Sequence, residues 1–177
     1  TTATIPRPVN PDLYERCLRH MDIFRQPEYD IRTILQDVCD TGSWLESSPD
    51  WGRGTIGARA RIRGFPLGIV ASQSMQIHQV STIADAANRE MTEYTTRTEP
   101  ANVWTSTSAS KTATTLEQMR LEGLPVLFVA NYRGFSGGAT DMFARILEYG
   151  AHIVDTLTKD GPPVWVYVPP HGQLRGG

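Results

Sequence analysis

Residues 126–150, VLFVANYRGFSGGATDMFARILEYG, run from an apolar β-type stretch through a glycine-rich turn into an amphipathic helical pattern. Gly134-Phe135-Ser136-Gly137-Gly138 fits the G-x-S-x-G pattern of a hydrolase nucleophile elbow. A serine nucleophile needs an acid and a base, and downstream these would be Asp155 or Asp160, and His171. Asp155, however, falls inside the helical pattern, and a single further strand follows, whereas such acids and bases sit on loops after several strands. A phosphate cradle fits less well, because the turn lacks the G-x-x-x-x-G-K-[ST] lysine and RGFSGG is not G-x-G-x-x-G. The third chemistry belongs to the main chain. Gly134, Gly137 and Gly138 allow a sharp turn and close approach of a ligand, the following helix aims free N–H groups at it, and Arg133 can grip a carboxylate through a two-pronged contact. That arrangement suits a carboxylate or a developing oxyanion. The residues alone leave open a plainer reading, a tight strand-to-helix connection beside a solvated arginine.

The elements around this turn follow from periodicity. Residues 1–11 carry three prolines and read as a linker or an edge crossing. Apolar positions at Leu13, Cys17, Leu18, Met21 and Phe24 predict a helix over 12–24, and Ile31, Ile34, Leu35 and Val38 predict a second, stopped at Thr41-Gly42. Ile56, Ala58, Ala60 and Ile62 alternate with Gly57, Arg59, Arg61 and Arg63, then RGFP turns the chain into the apolar run 67–71. This predicts a hairpin with the arginines on a solvated face. Residues 75–107 are polar and weakly periodic, which reads as a long excursion with short elements. A helix over about 111–121, carrying Ala113, Leu116 and Met119, precedes the strand LPVLFVANY. One long helix should then carry Met142, Phe143, Ile146, Leu147, Ile153, Val154 and Leu157, and PPVWVYVPP reads as a buried strand. Helix, strand, helix, strand in the second half indicates an α/β fold with parallel neighbours.

At 177 residues the chain has the length of one domain, and its 40% hydrophobic content is enough for a packed core. A net charge of −2 without a basic run argues against nucleic-acid binding. No apolar run approaches a membrane span, and no signal-peptide core is visible. Cys17 and Cys39 are too few for a disulfide framework or a metal site, so no metal is expected and a reducing compartment is. His20, His78 and His152 read as surface or packing residues, Lys111 as a helix-surface lysine that could approach a phosphate, and the four tryptophans as core or interface.

VANYRGFSGGATDMFARILEYGAHIVDTL followed by PPVWVYVPPHGQLRGG resembles the carboxyltransferase domain of eukaryotic-type multidomain acetyl-CoA carboxylases. YDIRTILQDVCDTGSWLES, GARARIRGFPLGIVASQ and IADAANREMTEYTTRTEPANVWTSTSASKTATTLEQ resemble earlier stretches of the same domain, in the same order. The resemblance implies a crotonase-like fold of repeated β-β-α units, with residues 1–27 a linker from a preceding region. Residues 28–177 would be one partial C-terminal subdomain, cut short at its far end, paired with an N-terminal subdomain in a homodimer. It also implies transfer of CO2 from carboxybiotin, held on a biotin carrier domain, to acetyl-CoA, giving malonyl-CoA for fatty acid synthesis in the cytoplasm or a plastid.

On that resemblance Arg133 would hold the carboxylate in transfer and the Gly177 amide would serve an oxyanion beside biotin, with Gly176 allowing the approach. Gly137 and Gly138 would shape the biotin side of the cleft, Ile146 would line its wall, and Ser136 would be a turn residue. No protein carboxylate or histidine base is required, since the biotin ureido group can take the α-proton itself. The coenzyme A thioester is substrate, and most of its site would come from the N-terminal subdomain, so the fragment alone is expected to be inactive. The rivals are another crotonase-type hydratase or isomerase, which wants paired carboxylates, and a non-catalytic scaffold or dimerisation module.

Overall fold

The computed structural model describes residues 20–26, 28–84 and 91–175. The expected first helix thus lies mostly outside the described residues, as do Cys17, Gly176 and Gly177; of that stretch, a 3-10 turn at Ile23–Arg25 is described. Helix α1, Ile31–Val38, begins where Asp30 accepts the Arg32 N–H at 3.0 Å, a side-chain cap for an otherwise unsatisfied donor. Its buried Ile31, Ile34 and Leu35 are the predicted face.

The strands are β1 (Leu45–Glu46), β2 (Thr55–Ile62), β3 (Phe65–Ser72), β4 (Ile77–Ala84), β5 (Met91–Glu99), β6 (Val126–Val129) and β7 (Val164–Tyr167). Five of them form one sheet in the order β1-β2-β3-β6-β7. β1, β2 and β3 are antiparallel neighbours, while β3, β6 and β7 run parallel. The β2–β3 turn falls at Arg63 (φ 51°) and Gly64 (φ 80°), positive φ at both central positions as a tight hairpin requires. Asp40 accepts both of their N–H groups, at 2.9 and 2.7 Å.

Each face of the sheet carries its own core. Ile56, Ala58, Ala60, Leu67 and Ile69 pack with α1 on one side. On the other, Val70, Val126 and Phe128 pack under α2 (Ser106–Glu122) and α4 (Ile146–Thr158) through Ala113, Leu116, Met119, Ile146 and Ile153. The face of β2 expected to be solvated is therefore covered in part. Arg59 is half-buried and forks onto Glu122 of α2, while Arg61 and Arg63 are exposed. Helix α2 starts with a reciprocal Thr105–Ser108 capping box and ends at Gly123 in the left-handed conformation.

Close approach of α2 to β2 depends on Gly57, where a Cβ would stand 2.5 Å from Thr115 Oγ1 and 2.9 Å from its Cγ2. Threonine is stiff at χ1 and cannot swing aside as a long side chain would. Gly57→Val is expected to cost about 2 kcal/mol, at the middle of the range for core overpacking, read as a lowered urea midpoint.

Three expectations change. Ile77–Ala84 and Met91–Glu99 form the antiparallel β4–β5 pair, with a register shift between Gln79 and Val80 and no other strand partner among the described residues, not an excursion of short elements. Its β-branched content suits strands, although its sequence shows no apolar alternation. The single long helix is broken: α3 (Ala139–Phe143) ends, Arg145 takes φ 67°, and α4 restarts at Ile146. Asp141 and Ile146 are both buried, and on one continuous helix they would point about 140° apart. The break lets both turn inward. Lastly, β7 is the sheet's edge among the described residues rather than a buried strand, with Trp165 and Val166 each 61% exposed.

Candidate functional site at the Arg133 turn

The chain leaves β6 through Ala130-Asn131-Tyr132 and reaches Arg133 at the end of the parallel part of the sheet. Arg133 is held at both ends by one loop. Its backbone N–H donates to Asn102 O at 2.7 Å, and its guanidinium Nη2 donates to Ala101 O at 2.9 Å. One carbonyl occupies part of the fork and leaves further N–H donors for a ligand. Gly134 follows at φ 120°, a conformation that strongly favours glycine. Trp104 then brackets the turn, its N–H donating to Gly134 O at 3.0 Å and its O accepting from Ser136 N at 2.7 Å.

Arg133 borders a hollow of about 470 Å³, whose other walls include Asn131, Asn102, Gln76, Tyr29 and His171. Asn131 is buried and fixed, donating to Ser74 Oγ at 3.1 Å and accepting from Gln173 N–H at 2.8 Å. The Tyr29 hydroxyl is buried without a hydrogen-bond partner among the described residues. Arg175 N–H donates to Tyr132 O at 2.8 Å, so the segment leading to Gly176 and Gly177 runs alongside the Arg133 turn. The structure thus brings together Arg133, the glycine turn and residues 173–175.

Gly137 and Gly138 are exposed and do not line the hollow. Neither is demanded by the fold. A Cβ on Gly137 would meet nothing within 4 Å, a Cβ on Gly138 would meet Ser136 Oγ at 3.5 Å, and neither has a positive φ. Gly138 is the uncapped N-terminal boundary of α3, which at five residues carries a far smaller dipole than the expected long helix. Ile146 is fully buried in the helical core and does not reach the hollow. Gly176 and Gly177 lie outside the described residues.

Ser136 has no triad around it. Its Oγ accepts from Gly138 N–H at 3.4 Å, a local turn contact, and Asp155 of α4 pairs at 3.1 Å with Lys159, just past the helix end. Among the described residues no imidazole or carboxylate bonds to the Ser136 hydroxyl. Ser136→Ala is accordingly expected to leave the activity unchanged, and an active-serine probe to leave Ser136 unlabelled.

Lys111 departs from both of its expected readings, the surface lysine and the phosphate contact. It is 2% exposed, with Nζ donating to Ser48 O at 2.9 Å. Burial lowers its pKa from 10.5 to about 8, partly offset by the Glu46 carboxylate. The unfolded chain binds this proton more tightly, so stability should rise as pH increases from about 8 to about 10.5, by roughly 3 kcal/mol. Urea unfolding at the two ends of that window tests this, and Lys111→Met should flatten the rise.

Sequence reasoning missed Asn131, Trp104 and Asp141. Asn131 left one signal, a lone amide inside the apolar run VLFVANY. Asp141, whose carboxylate accepts the Ser106 N–H at 2.8 Å and so ties α3 to the start of α2, left none, because that contact spans 35 positions.

Comparison with known proteins adds the family. Residues 6–177 match the carboxyl transferase domain. The chain is 41% identical over 139 residues to the mitochondrial acetyl-CoA carboxylase of Saccharomyces cerevisiae (strain YJM789), covering 78% of this chain and 6% of that protein. It is 38% identical over 160 residues to an acetyl-CoA carboxylase of S. cerevisiae (strain ATCC 204508 / S288c), covering 84% and 7%, and 40% identical over 146 residues to that of Schizosaccharomyces pombe (strain 972 / ATCC 24843), covering 82% and 6%. The chain therefore spans only 6–7% of the length of these relatives. In fold it resembles the β subunit of P. aeruginosa geranyl-CoA carboxylase, with a TM-score of 0.64 at 18% identity over 90% of this chain and 25% of that one. The fold is the crotonase-like α/β arrangement, as expected. With residues 6–177 matched from end to end, the chain belongs to the carboxyl transferase domain family.

Proposed function

We propose that this chain forms the biotin-facing part of an acetyl-CoA carboxylase carboxyltransferase site, in which CO2 passes from carboxybiotin to acetyl-CoA to give malonyl-CoA. The observation that carries the reading is Arg133, fixed by the 101–102 loop beside a polar hollow, in a chain of this family. The guanidinium keeps donors free to hold the carboxylate, and a cation fixed beforehand needs little reorganisation when charge moves. Gly137 and Gly138 offer a bare main-chain surface where nothing in this chain occupies the Cβ position, which fits a flat ureido ring laid against backbone. Bound biotin supplies the carboxyl group and a basic ureido oxygen. The chain's own part is to orient the carboxylate with Arg133, to shape the biotin side of the cleft with Gly137 and Gly138, and to meet developing negative charge with the Gly177 amide, made approachable by Gly176. Ile146 sets the packed floor on which α4 and the turn rest.

Residues 28–177 are read as the C-terminal subdomain and 1–27 as its lead-in. An N-terminal subdomain would supply most of the coenzyme A site, in a cytoplasmic homodimer. A hydratase or isomerase is disfavoured because, among the described residues lining the hollow, Glu28 is the sole carboxylate. Among the described residues no helix is long and apolar enough to cross a membrane, and no cluster of three metal-ligating side chains occurs. The direct test is malonyl-CoA-dependent carboxylation of biotin by a complete carboxylase carrying this chain. Formation of carboxybiotin supports the reading; its absence with active flanking domains refutes it.

A further inference from the structure

We infer that Trp104 is a positioning residue for the carboxyl transfer, acting as the mandrel around which the Arg133 turn is wound; this rests on the reading of the site given above. Its indole lies between two rings of the turn itself. Tyr132 stacks on one face, with centroids 3.7 Å apart and planes at 16°, and Phe135 covers the other at 4.7 Å and 26°. Arg133 and Gly134 are the two residues that carry the chain from one face of the indole to the other. The thickness of a flat ring thereby sets how far the backbone must travel between positions 132 and 135, and Gly134 at φ 120° makes the bend.

Four hydrogen-bonding contacts hold the mandrel in place. The Trp104 backbone bonds to Gly134 O and Ser136 N–H on the turn, the indole Nε1–H donates to Thr112 Oγ1 of α2 at 3.1 Å, and the Asn102 carbonyl two residues earlier receives the Arg133 N–H. Phe135 in turn lies against Gly150 of α4, where a Cβ would come within 3.3 Å of its ring. The indole therefore links the attitude of Arg133 to both helices that cover the sheet. A tryptophan serving only as core filler would owe its effect to volume. This one acts through flatness, because an aliphatic side chain of similar bulk cannot be sandwiched between two rings at these separations.

The test uses a complete carboxylase carrying this chain and the rate of malonyl-CoA-dependent biotin carboxylation. Trp104→Leu is expected to lower kcat about 100-fold, the scale of an ångström's misplacement of a catalytic group. Trp104→Phe keeps a flat ring and should recover most of that loss, although it lacks the Nε1–H. In an Arg133→Ala background, Trp104→Leu should cost far less than in the native enzyme, because the group it positions is gone. Met119→Ala, a buried change on α2 away from the turn, controls for lost stability. The inference is overturned if the phenylalanine variant is as poor as the leucine one, if Met119→Ala with an equal fall in Tm slows the reaction as much, or if the leucine penalty persists undiminished without Arg133. Arg133→Ala at the native rate would overturn the reading of the site instead; Trp104 is then judged on the Leu–Phe pair alone, and a native rate for Trp104→Leu overturns the inference in either case.

Discussion

Arg133→Ala is expected to lower malonyl-CoA-dependent biotin carboxylation by about 100-fold in a complete carboxylase, the typical effect of deleting one preorganised donor to developing charge. Stability should hardly change. The side chain is exposed, and its one hydrogen bond among the described residues, to Ala101 O, links it to a carbonyl that water can satisfy. Arg133→Lys keeps the charge but cannot spread its donors over a carbonyl and a carboxylate together, so it should recover only a minor part of the rate. Turnover measured alongside Tm separates the two effects. A native rate for the alanine variant removes Arg133 from the chemistry.

Gly137→Val should be nearly as damaging while leaving the fold intact. The position has no left-handed φ, and a Cβ there would meet nothing within 4 Å among the described residues. A loss of turnover with the fold intact therefore points to what approaches from outside. If the turn offers its main chain to the ureido ring, a β-branched side chain holds that ring off by more than an ångström, again a loss of about 100-fold. Unchanged Tm with collapsed turnover is the expected pair of results. Unchanged turnover would mean that Gly137 faces neither ligand nor partner.

Legibility in the sequence followed the number of apolar residues each element had to bury. Ile31, Ile34 and Leu35 announced α1, and the alternation of Ile56, Ala58 and Ala60 announced β2, because each pattern meets a core directly. The β4–β5 pair, with no other strand partner among the described residues, left no such record. The break at Arg145 was hidden because positions 142–157 keep a helical spacing even though the axis changes; only the buried Asp141, a carboxylate where solvent was expected, exposes it. Helix α2 was read too short, since Ser106 and Ser108 look like loop residues until they are seen buried at its start. At the site, residue type alone marked Arg133 and the glycines. The wrapping of Tyr132 and Phe135 around Trp104 joins positions about thirty apart, and no local pattern encodes it.

The margin at β7 has a practical consequence. Trp165, Val166 and Tyr167 of β7, the outermost strand among the described residues, and Val168 just beyond it are all exposed, apolar to both sides and bordered by prolines only at the ends. An apolar outer strand of this kind invites strand recruitment, and among the described residues it carries none of the lysines or inward charges that usually blunt one. Handled alone, the 177-residue polypeptide will tend to zip onto its own kind, and a cloudy preparation would report on this rim rather than on any failure of the turn to form.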